Sequence, residues 1–433
     1  MNKNEFAKRR KQLMRMIGND GIAILPSAPV RVRSRDAEYR YRQDSDFYYL
    51  TGFAEPESIC ILAPGRDNGE FVLFCRDRDR EKELWNGSRE GPEGAVTNYG
   101  ADDAFPADDV DDILPGILET RSRVYYAMGA YPDFDRRVSG WIRSLRAQEA
   151  AGRHPAQEVV ALDHLLHDMR LYKSRAELAA MRRAARIAVT AHTRAMVAVR
   201  PGIYEYEIEA EFVHEFRRHD ATVSYSPIVG GGANTCTLHY VDNNAELKAG
   251  DLLLIDAGCE YDYYASDVTR TLPVNGRFSS EQRAVYDIVL EAQLAAIERT
   301  CKGNHWNDPH DAAVRVVTRG LKKLGLLEGS LPKLIRDGAY REFFMHRTGH
   351  WLGMDVHDVG DYRVDDEWRL LEPGMVTTVE PGIYISARSR VPSRWRNIGI
   401  RIEDDVVVSH DGPDVLSRDL VKDPDEIEKL MAA

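Results

Sequence analysis

The sequence predicts an α+β protein in two parts: an α/β domain over residues 1–170 and a larger domain over 171–433 made of two halves of like topology. Three observations carry this reading. At 433 residues the chain exceeds what one hydrophobic core usually supports. Its N-terminal part mixes short apolar runs, broken by Pro or Gly, with helix and turn signals, as buried strands and their connections do. Its C-terminal part recurs as helix, helix, strands, then helix, helix, strands, a repeat of pattern rather than of sequence.

In order along the chain, MNKNEFAKRRKQLMRM is charged throughout, predicting a surface helix, and it lacks the apolar stretch of a secretory signal, which points to the cytoplasm. The runs GIAILPSA, DFYYLTGF, SICILAPG, EFVLFC and RVYYAMG read as strands of the first domain. The mixed-sign run RDRDREKE, at 76–83, reads as a solvated loop or edge. Ser174 with Glu177 fits a capping box, each side chain satisfying a free backbone N–H of the other, so a long helix starts there. Leu178, Met181, Ala185, Ala188, His192 and Met196 share one face until Arg200-Pro201-Gly202 stops the helix. On that face His192 reads as a structural histidine. A second helix over 205–219 leads into strands between 223 and 272. Ser279 and Gln282 then open a helix to residue 300, Asp308-Pro309 opens another to 324, and strands return over 343–409, the two halves sharing one antiparallel sheet.

Composition narrows the function. With 43% hydrophobic and 30% charged residues, and no apolar run near the ~18 residues of a membrane helix, the chain is an ordinary globular protein without a span. A net charge of -12 and the lack of a strong basic tract beyond the first helix argue against nucleic acid as a partner. Cys60, Cys75, Cys236, Cys259 and Cys301 are odd in number, scattered and without a CxxC, so they favour a reducing compartment and read as small hydrophobes.

The chemistry concentrates in three places. In LLLIDAGCEYDYYASDVTRTL, a hairpin turning at Tyr261-Asp262 pairs residues whose numbers sum to 523, which sets Asp256 opposite Asp267 on one face. Two facing carboxylates in a half-buried sheet repel and lose hydration, and a divalent cation between them answers both problems. Glu380, at the end of MVTTVEPGIYI, and Glu403, in NIGIRIEDDVVV, form a second pair inside apolar runs. Arg401 shares the strand face of Glu403 and could hold a metal-bound carboxylate, as could Tyr384; on period alone Glu380 and Glu403 serve equally as packing residues. In FFMHRTGHWLGMDVHDVG, His346, His350 and His357 fall within twelve residues. Arg347 and Gly349 exclude the HExxH helix, so looped or extended backbone is expected. Four carboxylates and one neutral imidazole balance two divalent ions, and this donor set suits Mn(II), Co(II), Fe(II) or Zn(II) better than Mg(II). Two such ions can hold and deprotonate a water between them, while further histidines donate to an oxyanion.

At this point the sequence resembles a known family. IDAGCEY, DVTRT, MHRTGHWLGMDVHDVG, VEPGIYI and GIRIEDD look like the metallopeptidases that include aminopeptidase P, prolidase and methionine aminopeptidase, and from YYLTGFAEPES onward the likeness is closest to the bacterial aminopeptidase P branch. The resemblance implies a creatinase-like N-terminal domain and a pita-bread catalytic domain with a dinuclear Mn(II) site that hydrolyses the bond between an N-terminal residue and proline. It implies Asp256, Asp267, His350, Glu380 and Glu403 as metal ligands, Asp267 and Glu403 bridging. Glu380 would also move the proton from water to the leaving proline nitrogen. His239 and His357 would lie near the substrate amine and the tetrahedral intermediate, His346 beside the proline pocket, and Tyr384 and Arg401 behind the ligands. Peptides with proline second are the implied substrates, and a homodimer or homotetramer the implied assembly. Leu84-Trp85 then reads either as a contact across subunits or as packing within its own domain. Prolidase, cleaving Xaa-Pro dipeptides, is the nearest alternative. Methionine aminopeptidase resembles only the C-terminal part, and metal-free members, creatinase and non-catalytic binding modules, typically lack the ligand set found here. The chain departs from the pattern at Arg347, where relatives often carry Gly, which bears on the loop and the proline subsite.

Overall fold

The computed structural model describes residues 1–119 and 121–432; Thr120 and Ala433, which fall inside the two expected domains, lie outside the described residues. The chain divides into two compact units, Met1–Met169 and Arg170–Ala433.

The first unit is a six-stranded mixed sheet with helices. Gly21–Pro26 pairs antiparallel with Ile59–Leu62 on one side and parallel with Arg123–Tyr126 on the other. Every residue of Ile59–Leu62 and of Phe71–Cys75 is buried, which is why these runs are apolar without alternation. The N-terminal helix, Lys3–Ile17, starts at Asn2, whose side chain accepts the Asn4 and Glu5 N–H groups. DFYYLTGF, expected as a strand, is instead the helix Ser45–Thr51. Asp44 accepts the Phe47 N–H at 3.0 Å, and Gly52 closes the helix with φ +67°, so two caps outweigh the strand preference of the aromatic run. RDRDREKE runs into the helix Arg80–Asn86, none of whose residues is buried. Leu84 and Trp85 are 86% and 87% exposed, which excludes packing of Trp85 within its own domain.

In the second unit the capping box at Ser174 and Glu177 is present, and the helix runs Arg175–Ala198. Its buried face is wider than the expected stripe, taking in Ala180, Ala184, Ala191 and Ala195, while Leu178 lies at its edge. Small residues let the helix approach the strands behind it, and His192 fixes that approach: buried, with its pKa pushed down to about 3 by burial, it donates from Nε2 to the Ala257 carbonyl at 3.0 Å. Glu205–Arg218, Ser280–Arg299 and Asp308–Lys323 supply the other three long helices, Ser280–Arg299 opening on the Ser279 and Gln282 capping box. Phe212, Phe216, Tyr286 and Val317 are buried in the shared core, each contributing about 1.5–3 kcal/mol of apolar burial.

The strands differ from the expected single sheet. They form short antiparallel sheets, Ile228–Gly231 with Leu252–Asp256 and Thr269–Pro273, and Val376–Val379 with Asp404–Ser409 and Gly412–Val415. Gly382–Ile385 pairs separately with Ile398–Arg401. The breaks fall where the carboxylates sit, and the Glu403 N–H donating to the Thr269 carbonyl at 3.1 Å bridges two of the sheets. Residues 343–362 are loop and short turns apart from one bridge between Trp351 and Thr377, the looped backbone expected around the histidines rather than the start of a second set of strands. Gly-rich sequence with a histidine at every few positions offers no strand period there.

Candidate active site

The hairpin that carries Asp256 and Asp267 turns at Asp262-Tyr263, one residue later than expected, because both residues take positive φ, +50° and +69°, as a tight hairpin turn requires. The register therefore sums to 525, and Asp256 opposes Thr269 rather than Asp267. A slip of two preserves the face a side chain points to, so Asp256 and Asp267 still converge. Gly258 permits the close crossing between them: a Cβ there would lie 1.7 Å from the Ser266 carbonyl oxygen. Tyr225 joins the two carboxylates, its hydroxyl lying 2.5 Å from Oδ1 of each.

The second half delivers its groups through loops anchored on strand ends. Glu380 follows Val376–Val379, and Glu403 lies between Ile398–Arg401 and Asp404–Ser409. His350 lies against Thr378, whose Oγ1 accepts the His350 N–H at 3.1 Å; Gly349 is needed for this approach, since a Cβ would sit 2.0 Å from the Thr378 carbonyl oxygen. His350 Nε2 then lies 3.3 Å from Asp267 Oδ2 and 3.7 Å from Glu380 Oε1. Ligand atoms of Asp267, His350 and Glu403 all fall within 4.8 Å of one another.

Arg401 reaches Asp256 Oδ2 at 2.5 Å and the Tyr384 hydroxyl at 2.9 Å, and Tyr384 in turn meets His346 Nε2 at 2.9 Å. His346 Nδ1 is 3.7 Å from Glu380 Oε2. The His357 ring stands nearly perpendicular to His350, centroids 4.3 Å apart. Apart from Tyr384, which is buried behind them, these groups and His239 line one cleft of about 780 Å³ whose other walls include Trp306, Tyr362 and Trp368. Asp358, beside His357, fixes this loop from behind: buried, it accepts from Arg170 at 2.6 Å and Lys173 at 2.9 Å, and its N–H bonds the Trp351 carbonyl.

Sequence reasoning missed three members. Thr269 donates to Glu403 Oε2 at 2.6 Å, and buried Asp405 accepts the Asp267 N–H at 3.2 Å through both oxygens. Both were visible, in DVTRT and in the acidic triplet within an apolar strand. Tyr225 carried no signal, coming from the irregular stretch after Thr222–Val223.

The electrostatics show what the site lacks on its own. Burial carries the Glu380 carboxyl up to about 7 against the pull of His350 and Arg401. Burial, and then Asp267, Glu380 and Asp256, push Glu403 well above the carboxylate range; burial raises Asp256 despite Arg401. Burial opposes ionisation of Asp267 too, yet the hydrogen bond and charge of His350, with the Tyr225 hydrogen bond and the Arg401 charge, together outweigh it and hold this carboxyl low. Burial likewise opposes a charge on His350, but that bond together with the Glu380 charge lifts the imidazole to about 9. Four carboxylates this close, three of them buried and Glu380 partly so, cannot all ionise side by side without added positive charge, and oxygen donors with one imidazole are the set that divalent transition ions accept. The residues fit such ions.

The sequence matches metallopeptidase family M24 over residues 179–410 and the aminopeptidase P N-terminal domain over residues 6–125. The Xaa-Pro aminopeptidase of Escherichia coli (strain K12) is 45% identical, the match covering 100% of this chain and 98% of that protein. The solved structure of Pseudomonas aeruginosa aminopeptidase PepP superposes with a TM-score of 0.99 at 58% identity, covering 100% of this chain and 98% of that one. Zinc-substituted Escherichia coli aminopeptidase P in complex with product matches at a TM-score of 0.97 and 45% identity, with the same coverage. The chain therefore belongs to metallopeptidase family M24 and carries the N-terminal domain of aminopeptidase P.

Proposed function

We propose that this chain is an Xaa-Pro aminopeptidase that removes the N-terminal residue from peptides with proline second. The observation that carries the reading is the convergence of Asp256, Asp267, His350, Glu380 and Glu403 in one cleft bordered by His346 and an aromatic wall. These five would hold two divalent cations, Mn(II) being favoured by a donor set of carboxylates and a single imidazole. When bound, the cations supply acidification of a water and polarisation of the scissile carbonyl.

The chain's own groups do the rest. Glu380 takes the proton of the attacking water and delivers it to the proline nitrogen, which cannot leave as an amine without one. His357 and His239 face the cleft, where they donate to the developing oxyanion and orient the peptide. His346 borders the proline ring, held by the Tyr384 hydroxyl, and Arg401 fixes both Tyr384 and Asp256. Self-assembly into a homodimer or homotetramer is supported by the bare Leu84-Trp85 surface, and a cytoplasmic location by five free cysteines. Among the described residues no helix is long and apolar enough to cross a membrane.

A panel of Xaa-Pro dipeptides, Xaa-Pro-Yaa tripeptides and Met-Ala peptides, assayed with Mn(II) and with chelator, tests the reading. The expected outcome is Mn(II)-dependent cleavage of the tripeptides and neglect of Met-Ala. Efficient cleavage of dipeptides with neglect of tripeptides would make the chain a prolidase instead.

A further inference from the structure

The cleft is electrically lopsided. One end holds the four carboxylates just described; the wall beside it holds Arg347, next in sequence to His346 and lining the same cleft. The Arg347 backbone needs no left-handed φ, so the arginine stands there without strain. Its guanidinium donates to the Asn307 amide oxygen and lies 5.0 Å from the centre of the Trp368 ring, while Arg363 lies 4.2 Å from the same ring. Trp368 thus carries two guanidinium groups, and among the described residues neither is engaged in an ion pair. Burial, together with the Arg341 and Arg363 charges, holds the Arg347 pKa below its ordinary value against Asp311 and Tyr340, so the surroundings would welcome an anion.

We propose that Arg347, with Trp368 and Arg363, forms a carboxylate-binding subsite for the residue that follows proline, so that the chain prefers short peptides ending at that residue. The inference rests on the Xaa-Pro reading above. A zwitterionic tripeptide matches the cleft: its amine faces the acidic end and its carboxylate the basic wall. The spacing is compatible, since Arg347 starts one residue from the imidazole that approaches Glu380, and an extended peptide advances about 3.3–3.6 Å per residue. A planar guanidinium stacked on an indole is already oriented to give two parallel hydrogen bonds to a carboxylate. A Glu or Asp side chain at the third position offers the same chemistry.

The test compares kcat/KM of the Mn(II)-loaded wild type and Arg347→Gln on Xaa-Pro-Ala, its C-terminal amide, Xaa-Pro-Glu amide and Xaa-Pro-Gln amide. Calorimetric binding of Pro-Ala and Pro-Ala amide runs alongside, as a readout independent of turnover. The wild type should prefer the free acid over the amide by about 10- to 100-fold, mostly through KM, as a charged hydrogen bond implies, and Arg347→Gln should collapse that ratio to within about threefold. A Glu-over-Gln preference that collapses in the same way would support the subsite with a side-chain carboxylate as its source. Equal treatment of acid and amide by the wild type, or a preference that survives Arg347→Gln, would overturn the proposal while leaving the Xaa-Pro reading intact. Failure of the wild type to cleave any of the four peptides would refute that reading, and the subsite with it.

Discussion

Glu380→Gln is expected to lower kcat on an Xaa-Pro-Yaa peptide by about 10²–10⁴-fold, the range seen when a positioned proton carrier is lost, with little change in melting temperature. Glu380 lies 3.7 Å from both His346 and His350, so it stands between the ring proposed to border proline and the cluster proposed to hold the cations. Gln keeps the volume and one acceptor oxygen but cannot shuttle a proton. Retention of near-normal turnover would remove Glu380 from its assigned role, and a large fall in melting temperature would mean that the change acted through folding.

Asp358→Asn is expected to cost about 3–5 kcal/mol of stability, the penalty for leaving buried charges without their partner. At about 2–4 °C per kcal/mol for a domain of this size, the melting temperature should fall by roughly 10 °C. Lys173 and Asp358 are each only 1% exposed at the side chain, and Arg170 only 3%, so water cannot replace the lost carboxylate. Because the cost comes from the orphaned cations, adding Lys173→Met to Asp358→Asn should recover part of it, a coupling that simple loss of packing would not give. Acid gives a second readout. Burial raises the Asp358 carboxyl, but Lys173 and Arg170 outweigh it and hold the group below its ordinary ~3.9. The stability it supplies is therefore complete above about pH 4 and is lost as pH falls through the folded value, so the gap between wild type and Asp358→Asn should narrow below pH 4. A gap that stays constant into acid would show that the ion pair is not its source.

These residues also show how much the sequence could disclose. Asp256 and Asp267 were legible because strand alternation is insensitive to a slip of two; the register was wrong by two residues and the shared face was not. The long helices were legible from their caps at Ser174 and Ser279. DFYYLTGF was misread because its signal lay in the flanking Asp44 and Gly52 rather than in its composition. The expectation of one continuous sheet failed because its strands are interrupted where Glu380 and Glu403 leave them, an effect of tertiary convergence that no local pattern records. Tyr225 was invisible as a site member for the same reason: it bridges Asp256 and Asp267, 31 and 42 residues away. The family likeness implied roles for the remaining groups, and Arg347, a departure from its pattern, became the source of the specificity proposal.

Asp256, Asp267, His350, Glu380 and Glu403 are proposed to hold two divalent cations that this peptidase needs. Titrating metal-stripped protein with Mn(II), while following both bound manganese and release of the N-terminal residue from an Xaa-Pro-Ala peptide, tests this most directly. Release is expected to be negligible without metal and to reach its full rate only as the second equivalent binds. Full turnover by the stripped protein, or a plateau at one equivalent, would show that a two-cation site is not required.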